Sequence, residues 1–503
     1  MRTDPGGMIS IVNGQHFKPK AKIYIDTGSG YIKTTVSKVK YNSTLTSLST
    51  PLVSIGDDTS TELSFDISNV GGAYSYYGTY ILYDANVKME LGFIDALGAD
   101  VVVEVFEGQV KSFTENDKDM SISVKCRDFG GSSLLQKRYS TVIYENYRVD
   151  QWIELLATAA GMSFITHGYS PTTIPWLWLD DEPLLDQMIQ AAQSEGGLVY
   201  IDESNTVHYW APAYWISPTY IAGTEWESSL PWTITDQNTF TDFNIVSSDK
   251  NQYDDFIVSY QPRYIGSLCD IYELSHTIVI PAGTTKSFVV RFSDPAYDKH
   301  SVDYIITNGF GTDLKGSAYI TYNGLTAPDP IADWGLHLHA EHWNVNIENT
   351  NTIEDAYLSK FTVSARVLVG APDVEYVEED PTSHARVYRL TGNPYIQTPE
   401  QAESLAALMR DRFEGDPCIQ ATASGVKPNP LLQVGDTVLV TSVNANLSAH
   451  AFYVIGITYA GPKYNMSLTL VDAGYYFESD SYFIIGYHHL VNTAHTLEGE
   501  LYY

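Results

Sequence analysis

The amino-acid sequence predicts a mainly β fold with α+β elements: two antiparallel β-barrels, one small α+β domain and an inserted β-sandwich. Short segments in which apolar and polar residues alternate recur through most of the 503 residues. A helical period replaces this alternation in only two regions, 141–210 and 398–413. The chain also holds 37 tyrosines, whose rings suit half-buried strands and protein interfaces.

Length and charge limit the class of protein. A chain of this length is too long for a single core and is expected to divide into several domains. Its 61 acidic and 29 basic residues give a net charge of −32, which excludes tight binding of nucleic acid through neutralised phosphates. A surface this acidic can still lie next to DNA, because electrostatic repulsion keeps the duplex from adhering to it.

Cysteines and apolar runs narrow the class further. Cys126, Cys269 and Cys418 lie far apart and no Cys-x-x-Cys pair exists, so neither a thiolate zinc site nor a redox pair is expected. No run of about 18 apolar residues occurs, so no membrane span is expected. The N-terminus lacks the features of a signal peptide, and we expect synthesis in a reducing cytoplasm.

The N-terminal region, 1–140, is predicted to form the first barrel. Glu62–Ile67 and Met120–Lys125 alternate with period two, and Val101–Phe106 is a more continuous apolar run. The cluster Asn116–Asp119 has the composition of a hairpin turn. Because a single sheet cannot cover its own apolar face, strands at this spacing fit a small barrel or sandwich.

Residues 141–240 are predicted to form a small α+β domain and a linker. The first helix is expected to start at Asp150 and to stop at Gly161. The second starts after the acidic run 180–182, where a helix N-terminus favours negative charge. A hairpin over 198–210 completes the domain, and the Trp- and Pro-rich stretch after it is predicted to be the linker.

The rest of the chain is predicted to hold the second barrel. Its strands fall in 241–274 and 371–474. The block 275–370 is predicted to be an inserted β-sandwich, because barrel-type strands flank it on both sides. The tail, 475–503, is rich in Tyr and Phe, and the sequence leaves open whether it packs on its own domain or on a neighbour.

One helix, 398–413, is predicted within the second barrel region. Its outer face is expected to carry Glu403 and Arg410. The residues expected to pack on the barrel are Ala402, Leu405, Ala406, Met409 and Phe413.

Candidate chemical sites are weak in this sequence. The alternating His337, His339 and His342 are one way to begin a zinc site, but no further ligand follows at a telling spacing. Cys126 lies between two basic residues, which favours a thiolate, yet its place in an alternating strand favours a buried structural thiol. Acidic runs such as 180–182 serve a glycosidase only at a defined separation. We expect no catalytic residue, no cofactor and no metal.

The pattern of strands, turns and helices resembles a known family, the tail hub or baseplate hub proteins of tailed bacteriophages and related contractile injection systems. The likeness covers 20–210 and 385–472, and more loosely the sandwich. The segments that carry it are Glu62–Asn69, Phe106–Val110, Val124–Asp128, Ser133–Arg138, Asn393–Ile396, Gln401–Phe413 and Leu431–Val438.

The resemblance implies a non-enzymatic structural protein of the virion, made in the host cytoplasm. Both barrels would be tube-like, and a homotrimer would set six of them in a ring. The ring would join the sixfold tail tube, or a distal tail protein, to a threefold tip with a central spike or fibre. DNA would pass through the lumen during ejection without sequence-specific binding. In the family the helix region lies at subunit contacts, so Glu403 and Arg410 are expected at an interface.

Two other classes of protein remain open at this point. A β-rich adhesin or carbohydrate-binding module would use aromatic faces to stack on sugars. A secreted glycosidase would need two carboxylates across a cleft. The tryptophans that motivate the adhesin are Trp176, Trp178, Trp210, Trp215, Trp226 and Trp232. We expect these rings to fill domain junctions.

Overall fold

The fold is taken from a computed structural model of the chain. It describes residues 8–13, 18–28, 30–44, 60–80, 82–128, 137–202, 205–212, 232–236, 240–246, 253–308, 313–318, 332–349, 352–378, 386–413, 420–460 and 464–472. The predicted tail and most of the linker, with Trp215 and Trp226, lie outside the described residues, as do the side chains of His337 and Phe413.

The described helices are short and few. They are α1 (Met8–Asn13), α2 (Val149–Ala160), α3 (Leu184–Gln193) and α4 (Pro399–Phe413). Helix α2 ends at Gly161, whose φ of 80° gives the left-handed C-cap that glycine adopts most easily. Asp150 lies in the first turn of α2, where its carboxylate binds Arg148, the residue at the N-cap.

Strands make up most of the chain, which confirms the predicted mainly β class. The first block holds β1 (Lys18–Asp26), β2 (Tyr31–Thr34), β3 (Val36–Thr44), β4 (Ser60–Ser68), β5 (Asn86–Ile94), β6 (Asp100–Asn116) and β7 (Ser121–Asp128). The second holds β8 (Arg138–Tyr139), β9 (Tyr144–Arg148), β10 (Ser163–His167), β11 (Thr173–Leu177), β12 (Glu182–Pro183), β13 (Leu198–Ile201) and β14 (Thr206–Trp210).

The C-terminal strands divide among several sheets. Those before α4 are β15 (Trp232–Thr235), β16 (Asp242–Val246), β17 (Asp255–Tyr260), β18 (Arg263–Glu273), β19 (Ile278–Ile280), β20 (Thr285–Arg291), β21 (Ala296–Asn308), β22 (Asp313–Ala318), β23 (Ala332–Leu338), β24 (His342–Asn349), β25 (Ala356–Gly370), β26 (Val374–Glu378) and β27 (Val387–Leu390). Those after it are β28 (Gln420–Val426), β29 (Thr437–Ser442), β30 (Leu447–Ala460) and β31 (Asn465–Asp472).

One large sheet contains the barrel strands of both halves of the chain. Its path runs β16-β28-β31-β30-β3-β4-β7-β6-β5-β1-β2, with β29 beside β30 and β15 beside β29. The two ends of this path do not pair with each other among the described strands, so the predicted barrels form one open sheet rather than two closed cylinders. Apolar side chains from both halves meet in a single core cluster.

The large sheet consists of two halves with the same strand order. The first module is β3-β4-β7-β6-β5-β1 and the second module is β16-β28-β31-β30-β29-β15. In each, one long strand lies at the centre of a three-stranded meander, β5-β6-β7 or β29-β30-β31. One difference is that β1 pairs antiparallel with β5, whereas β15 pairs parallel with β29.

The register of the two meanders shows how close the repeat is. β6 and β7 pair from Gly108 with Asp128 to Asn116 with Ser121, with a β-bulge between Val110 and Ser112. β30 and β31 pair from Phe452 with Asp472 to Ala460 with Asn465, with a bulge between Val454 and Gly456. Both ladders and both bulges therefore match at one constant offset along the chain.

The α+β unit spans 137–212 and has its own core. Helices α2 and α3 cover the three-stranded sheet β10-β14-β13. The carboxyl of Glu195 is buried here and accepts hydrogen bonds from the Ser170 and Tyr209 hydroxyls and the Thr172 N–H. Burial raises the pKa of Glu195 to about 8.

The insertion between β17 and β26 is a two-sheet unit around its own apolar core. One sheet has the order β18-β25-β21-β22 with β19 beside β25, and the other is β20-β24-β23. Trp343, Phe361 and Val363 are buried between them. The unit begins with β18 at Arg263, earlier than the expected boundary at 275.

Candidate assembly interface

The helix chosen from the sequence, α4, begins with a capping box. The Thr398 hydroxyl accepts a hydrogen bond from the Gln401 N–H at 3.2 Å. In return, the Gln401 side-chain oxygen accepts the N–H of Thr398 at 3.1 Å and that of Gln397 at 2.8 Å. Pro399 occupies the first helical position, where its missing N–H costs nothing.

The apolar face of α4 is buried, as its spacing predicts. Leu405 and Met409 are at most 1% exposed. They belong to a cluster with Phe256 of β17, Leu390 of β27 and Val471 of β31. Strands β26-β17-β27 form a small separate sheet, so the helix lies between this sheet and the large one rather than on a barrel alone.

The outer face of α4 carries the two polar residues expected at an interface. Glu403 is exposed. Arg410 forms an ion pair with Glu378 of β26, so its guanidinium already holds the helix to the small sheet. Of the two, Glu403 is the residue presented to solvent.

The segment before α4 fastens the α+β unit to the C-terminal half. The Tyr395 hydroxyl donates to the Gln187 side chain at 2.5 Å, and the Asn393 amide donates to the Gln190 carbonyl at 2.8 Å. Gln397 accepts from the Trp176 N–H and donates to the Trp176 carbonyl. Two hydrogen bonds to one backbone residue mimic a short strand pairing and fix the orientation of the joint.

Several side chains singled out in the sequence lie at the junction of the sandwich with the α+β unit. His342 contacts Asp180 at 2.5 Å, and its ring packs on His339. Trp178 donates to Glu341 and lies under the Arg263 guanidinium at 4.1 Å. These histidines serve as structural contacts, and no His, Cys, Asp and Glu group suited to a metal occurs within the described residues.

The remaining chemical candidates also have structural surroundings. Cys126 is buried, and burial raises the pKa of its thiol. Trp176 packs edge-on against Tyr297, and Trp232 is 9% exposed in the shared core cluster. The described tryptophans named here therefore fill junctions. In the part of the chain that the structure covers, no helix is long and apolar enough to span a bilayer.

The two modules are joined by direct strand pairing. β3, the outermost strand of the first module, pairs antiparallel with the second half of β30, from Lys40 with Ala460 to Thr44 with Gly456. At this junction the Tyr41 and Tyr459 rings pack at 5.5 Å. The first half of β30 pairs with β29 instead, so one long strand carries two partners in succession.

The part of β6 that corresponds to the second half of β30 has no partner like β3 among the described strands, and β16, the counterpart of β3, has no partner like β30. β6 pairs with β5 over 100–109, and beyond this only β7 pairs with it among the described strands, over 108–116. Five of the six residues of 111–116 are exposed, Phe113 being the half-buried one. Among the described strands, β16, which takes the place of β3 in the second module, pairs with β28 alone. Within the described residues, the chain thus presents two strand edges without a partner, one on β6 over 111–116 and one on β16.

Cross-strand register defines which residues are equivalent at these edges. In the first module Lys40 is opposite Ser64, which leads across β7 to the bulge residue Ser112. In the second module Asn244 leads through Thr422 and Thr469 to the bulge residue Gly456. Asn244 therefore corresponds to Lys40, and Asn116, four residues beyond Ser112, corresponds to Ala460.

One face of the large sheet is polar and crosses the junction without a break. Two rows of directly opposed residues run over it, and none of them is buried, while their chain neighbours Leu63, Val124 and Ile457 are core. The first row is Ser467, Thr458, Asn42, Glu62, Arg127 and Gln109. The second row is Asn465, Ala460, Lys40, Ser64, Lys125 and Ser112.

Sequence reasoning placed the interface on α4 and missed the two unfilled edges. A signal was present, because each long strand is followed by a short polar turn and a strand with strict alternation, 121–126 and 465–470. Pairing partners cannot be read from such a pattern, since alternation reports burial and not which strand lies alongside.

Comparison with known proteins finds likenesses only among solved structures. No family model and no curated protein matches the chain. The chain is similar to the tail protein from Neisseria meningitidis MC58, with a TM-score of 0.47 and 11% identity over 90% of this chain and 96% of that one. It is equally similar to the 43 kDa tail protein of prophage MuSo2 from Shewanella oneidensis, with a TM-score of 0.47 and 9% identity over 90% and 98%.

A third structure is the prophage tail protein gp18 from Listeria monocytogenes EGD-e, with a TM-score of 0.42 and 9% identity over 90% and 94%. All three are tail proteins by their descriptions, and two of them are from prophages.

Proposed function

We propose that this protein is a non-enzymatic structural hub of a phage tail tip or baseplate. Three copies form a ring of six modules that joins the sixfold tail tube, or a distal tail protein, to a threefold central spike or fibre. DNA passes through the bore of the ring. This function would place the protein in the virion at the tail tip.

The repeat of two modules joined through β3 and β30 is the observation that carries the proposal. The β16 edge of one copy and the β6 edge of the next copy would make a head-to-tail contact. Such contacts close into a ring when the rotation between copies allows it. Each copy would repeat between chains the junction that it already contains. Unpaired edges of this kind are rarely left open in a finished assembly.

The register of the contact between copies follows from the repeat. Asn244 of one copy takes the place of Lys40, and Asn116 of the next takes the place of Ala460. Ile245, which is 41% exposed, then lies opposite Glu115. Pairing would cover both edges and the Ile245 side chain together.

The size of the ring agrees with DNA passage. The stretch from β16 to β6 has eight strands, so three copies supply 24. At about 4.8 Å between strands, the circumference is about 115 Å and the diameter about 37 Å. Strand tilt widens this further, and the bore exceeds a B-form duplex.

The polar face is the one available to line the bore, because the opposite face is the module core. Of the twelve residues in its two rows, Glu62 is acidic and Lys40, Lys125 and Arg127 are basic. This differs from the acidic lining expected from the net charge. Small hydroxyl and amide groups without protruding aromatic rings bind DNA weakly and do not read its base sequence.

Helix α4 is proposed as a second contact with neighbouring tail proteins. Its exposed Glu403 and the adjoining end of the small sheet form a rigid surface, because Leu405, Met409 and the Arg410 ion pair hold the helix in place.

Cysteine cross-linking tests the ring directly. In the full chain, Asn244→Cys with Asn116→Cys should give disulfide-linked dimers and trimers on mild oxidation, because directly opposed strand residues are within disulfide reach. Native mass spectrometry of the wild-type chain should show a threefold species. A chain that stays monomeric at high concentration, with no linked oligomers, would overturn the ring.

A matched control is available within the chain. Lys40→Cys with Ala460→Cys occupies the equivalent places at the internal junction and should form a disulfide within one copy at any concentration. The chain with only its three natural cysteines gives the background. Moving the first pair out of register, as Asn244→Cys with Ser112→Cys, should reduce the yield of linked oligomers.

A further inference from the structure

Three lysines on the polar face of the first module surround a concave part of the sheet. Lys40 of β3, Lys111 of β6 and Lys125 of β7 line a cavity of about 410 Å³, which we call the lysine cavity. All three side chains are exposed. Among the described residues that line it, Glu62 is the one acid, although the whole chain holds 61. A chain with a net charge of −32 therefore carries a local excess of positive charge here.

Strand register explains how residues far apart in sequence meet at this cavity. Lys40 is opposite Ser64 of β4, and Ser64 is opposite Lys125. Two strand spacings, about 10 Å, therefore separate Lys40 from Lys125. Lys111 is the extra residue of the bulge in β6, beside the pair of Ser112 with Lys125. A bulge re-aims the side chain of its extra residue, and here it brings the third lysine onto the polar face.

Lysines of β1 and β5 on the same face of the sheet have acidic partners, whereas those of the lysine cavity do not. Lys22 contacts Asp100 at 3.2 Å, and Lys88 contacts Glu107 at 3.1 Å. Within the described residues, no ion pair joins any lysine of the cavity to a carboxylate. On the neighbouring row of the sheet, Nε of Arg127 is buried and has no hydrogen-bond partner among the described residues. These cations are therefore available to an anion from outside the chain.

The second module shows that the fold does not require lysine at these places. In the register of the repeat, Asn244 and Thr469 replace Lys40 and Lys125. The bulge residue Ile455, at the place of the third lysine, is 5% exposed and packs in the cluster that holds α4. Neutral residues thus satisfy the same strands, so the positive charge of the first module has another use.

We propose that the lysine cavity binds the phosphodiester backbone of DNA. An ammonium group on a flexible stem is a point charge that contacts phosphate in many orientations. Contacts to phosphate position a duplex without reading its base sequence. The inference rests on the proposed function, in which the polar face lines the bore, and it identifies the contact that DNA makes there.

The small number of cations suits a duplex that has to move. Three ammonium groups that each neutralise one phosphate give a slope of about −2.7 for log K against log salt concentration. Glu62 reduces the net charge of each cavity to that of two cations. In a ring, the cavities of successive copies lie eight strands apart, about 38 Å along the circumference. Such contacts centre a duplex in the bore and release it readily.

Fluorescence anisotropy with a short labelled duplex and the full chain at low salt tests the site. Lys40→Gln with Lys125→Gln should weaken binding about tenfold and make the salt slope shallower by about 1.8, because two phosphate contacts are lost. Lys286→Gln with Lys360→Gln is the matched control, since both lysines are exposed on strands of the sandwich and the change in net charge is the same. Equal weakening by the two double variants would show an effect of net charge only and overturn the proposal.

Glu62→Gln tests the same cavity in the opposite direction. Removing the carboxylate leaves three cations without an acid among the described lining residues, so duplex binding should become several times tighter. Unchanged or weaker binding by this variant would contradict a phosphate in the cavity.

Chemical acetylation read by mass spectrometry locates the contact in the wild-type chain. Bound duplex should protect Lys40, Lys111 and Lys125 from a lysine-reactive ester. Lys118, which is exposed on the β6–β7 turn, should react equally with and without DNA. Protection that spares the three lysines of the cavity would place DNA elsewhere and overturn the proposal.

Competitors establish the chemical class of the ligand. Inorganic phosphate at the same phosphate concentration as the duplex should not displace it, because one free anion contacts one lysine at a time. Polyglutamate of equal net charge should compete poorly. Displacement by inorganic phosphate would assign the cavity to a free anion, and equally tight binding of polyglutamate would assign it to an acidic protein segment; either result overturns the proposal.

Native mass spectrometry of the same samples separates this proposal from the ring. A trimeric wild-type chain whose duplex binding is unchanged by Lys40→Gln with Lys125→Gln overturns the lysine cavity and leaves the ring intact. A monomeric chain overturns the ring, while lysine-dependent duplex binding by that monomer would still support the cavity. A monomer in which both double variants bind DNA alike overturns both.

Discussion

The first and second modules share a strand order but differ in what covers them. In the second module, β3 fills the edge of β30 and α1 covers loop 427–436. In the first module, the same edge of β6 is unpaired over 111–116 among the described strands, and loop 69–85 exposes its tyrosines. In the second module, therefore, the strand edge and the loop are both covered by elements of the first module or by the helix that precedes it, whereas in the first module both are exposed.

This difference teaches where to look for a missing neighbour. Exposed apolar groups scattered over a surface need no explanation. When the exposed groups of one repeat occupy the positions that are buried in the other repeat, however, the buried copy describes the missing contact. Tyr459 and Leu431 are buried at these positions in the second module, while Glu115 and the tyrosine loop take their places in the first.

Within the described residues, the inserted helix α4 belongs to the second module, and breaking that helix is expected to have the largest effect. Leu405→Asp puts a carboxylate among Phe256, Val258 and Ile455, where it has no partner. We expect the free energy of unfolding to fall by about 4 kcal/mol, from lost burial and a buried charge. Chemical denaturation with intrinsic fluorescence would measure it, and ring assembly should be lost.

The matched control on the same helix is Glu403→Ala, an exposed position expected to change stability by less than about 0.5 kcal/mol. The Leu405 cluster includes Leu198 of β13, so the α+β hairpin should loosen together with α4. If Leu405→Asp unfolds at the wild-type midpoint, the helix does not hold the second module to the small sheet.

A smaller effect is expected where both loops turn into their modules. In each module a backbone hydrogen bond joins the loop to the long strand: the Val110 N–H donates to the Ala85 carbonyl, and the Val454 N–H donates to the Asp436 carbonyl. The residue before each accepting residue has a positive φ, 55° at Asp84 and 95° at Gly435. At Gly435 a Cβ would come within 2.2 Å of the Trp210 ring, whereas Asp84 is exposed. Gly435→Ala should cost about 2 kcal/mol, from backbone strain and overpacking.

Asp84→Gly is the complementary change, and we expect it to alter stability by less than about 0.5 kcal/mol, because the turn is already left-handed and uncrowded. Thermal unfolding of both variants compares the two modules at one equivalent position. Equal costs at the two positions would contradict the view that the second loop is packed and the first is open.

The sequence predicts much of the fold, because the local spacing of apolar residues shows which side of a strand or helix is buried. Alternation identified Glu62–Ile67 and Met120–Lys125 as strands, and the helical period identified α4 to within one residue of its start. The mainly β class follows from these elements. Periodicity could not show which strands pair. β27 alternates and β17 is a continuous apolar run, and both read as strands of the second barrel, yet they pair in a separate small sheet.

The candidate site was less predictable for a related reason. Leu405 and Met409 were expected to be buried and are, since helical spacing reports one buried face. Arg410 was expected at an interface, but the ion pair with Glu378 depends on a strand 32 residues away in sequence. The unfilled edge of β6 is a property of the whole sheet, and no local pattern records which edge is left unpaired.

The smallest expected effect distinguishes the two loop anchors. Tyr459→Phe removes a buried hydrogen bond to the Asn429 carbonyl and leaves that oxygen short of a donor, so the free energy of unfolding should fall by about 1 kcal/mol. Glu115→Gln at the equivalent position should cost less than about 0.5 kcal/mol in the monomer, because its loop is open to water. The order should reverse for assembly. Glu115 lies on the β6 edge that is proposed to pair with β16 of the next copy, so Glu115→Gln should lower the association constant more than Tyr459→Phe does. Paired calorimetry and sedimentation on both variants measure the two effects, and the same order in both experiments would mean that the β6 edge takes no part in joining the copies.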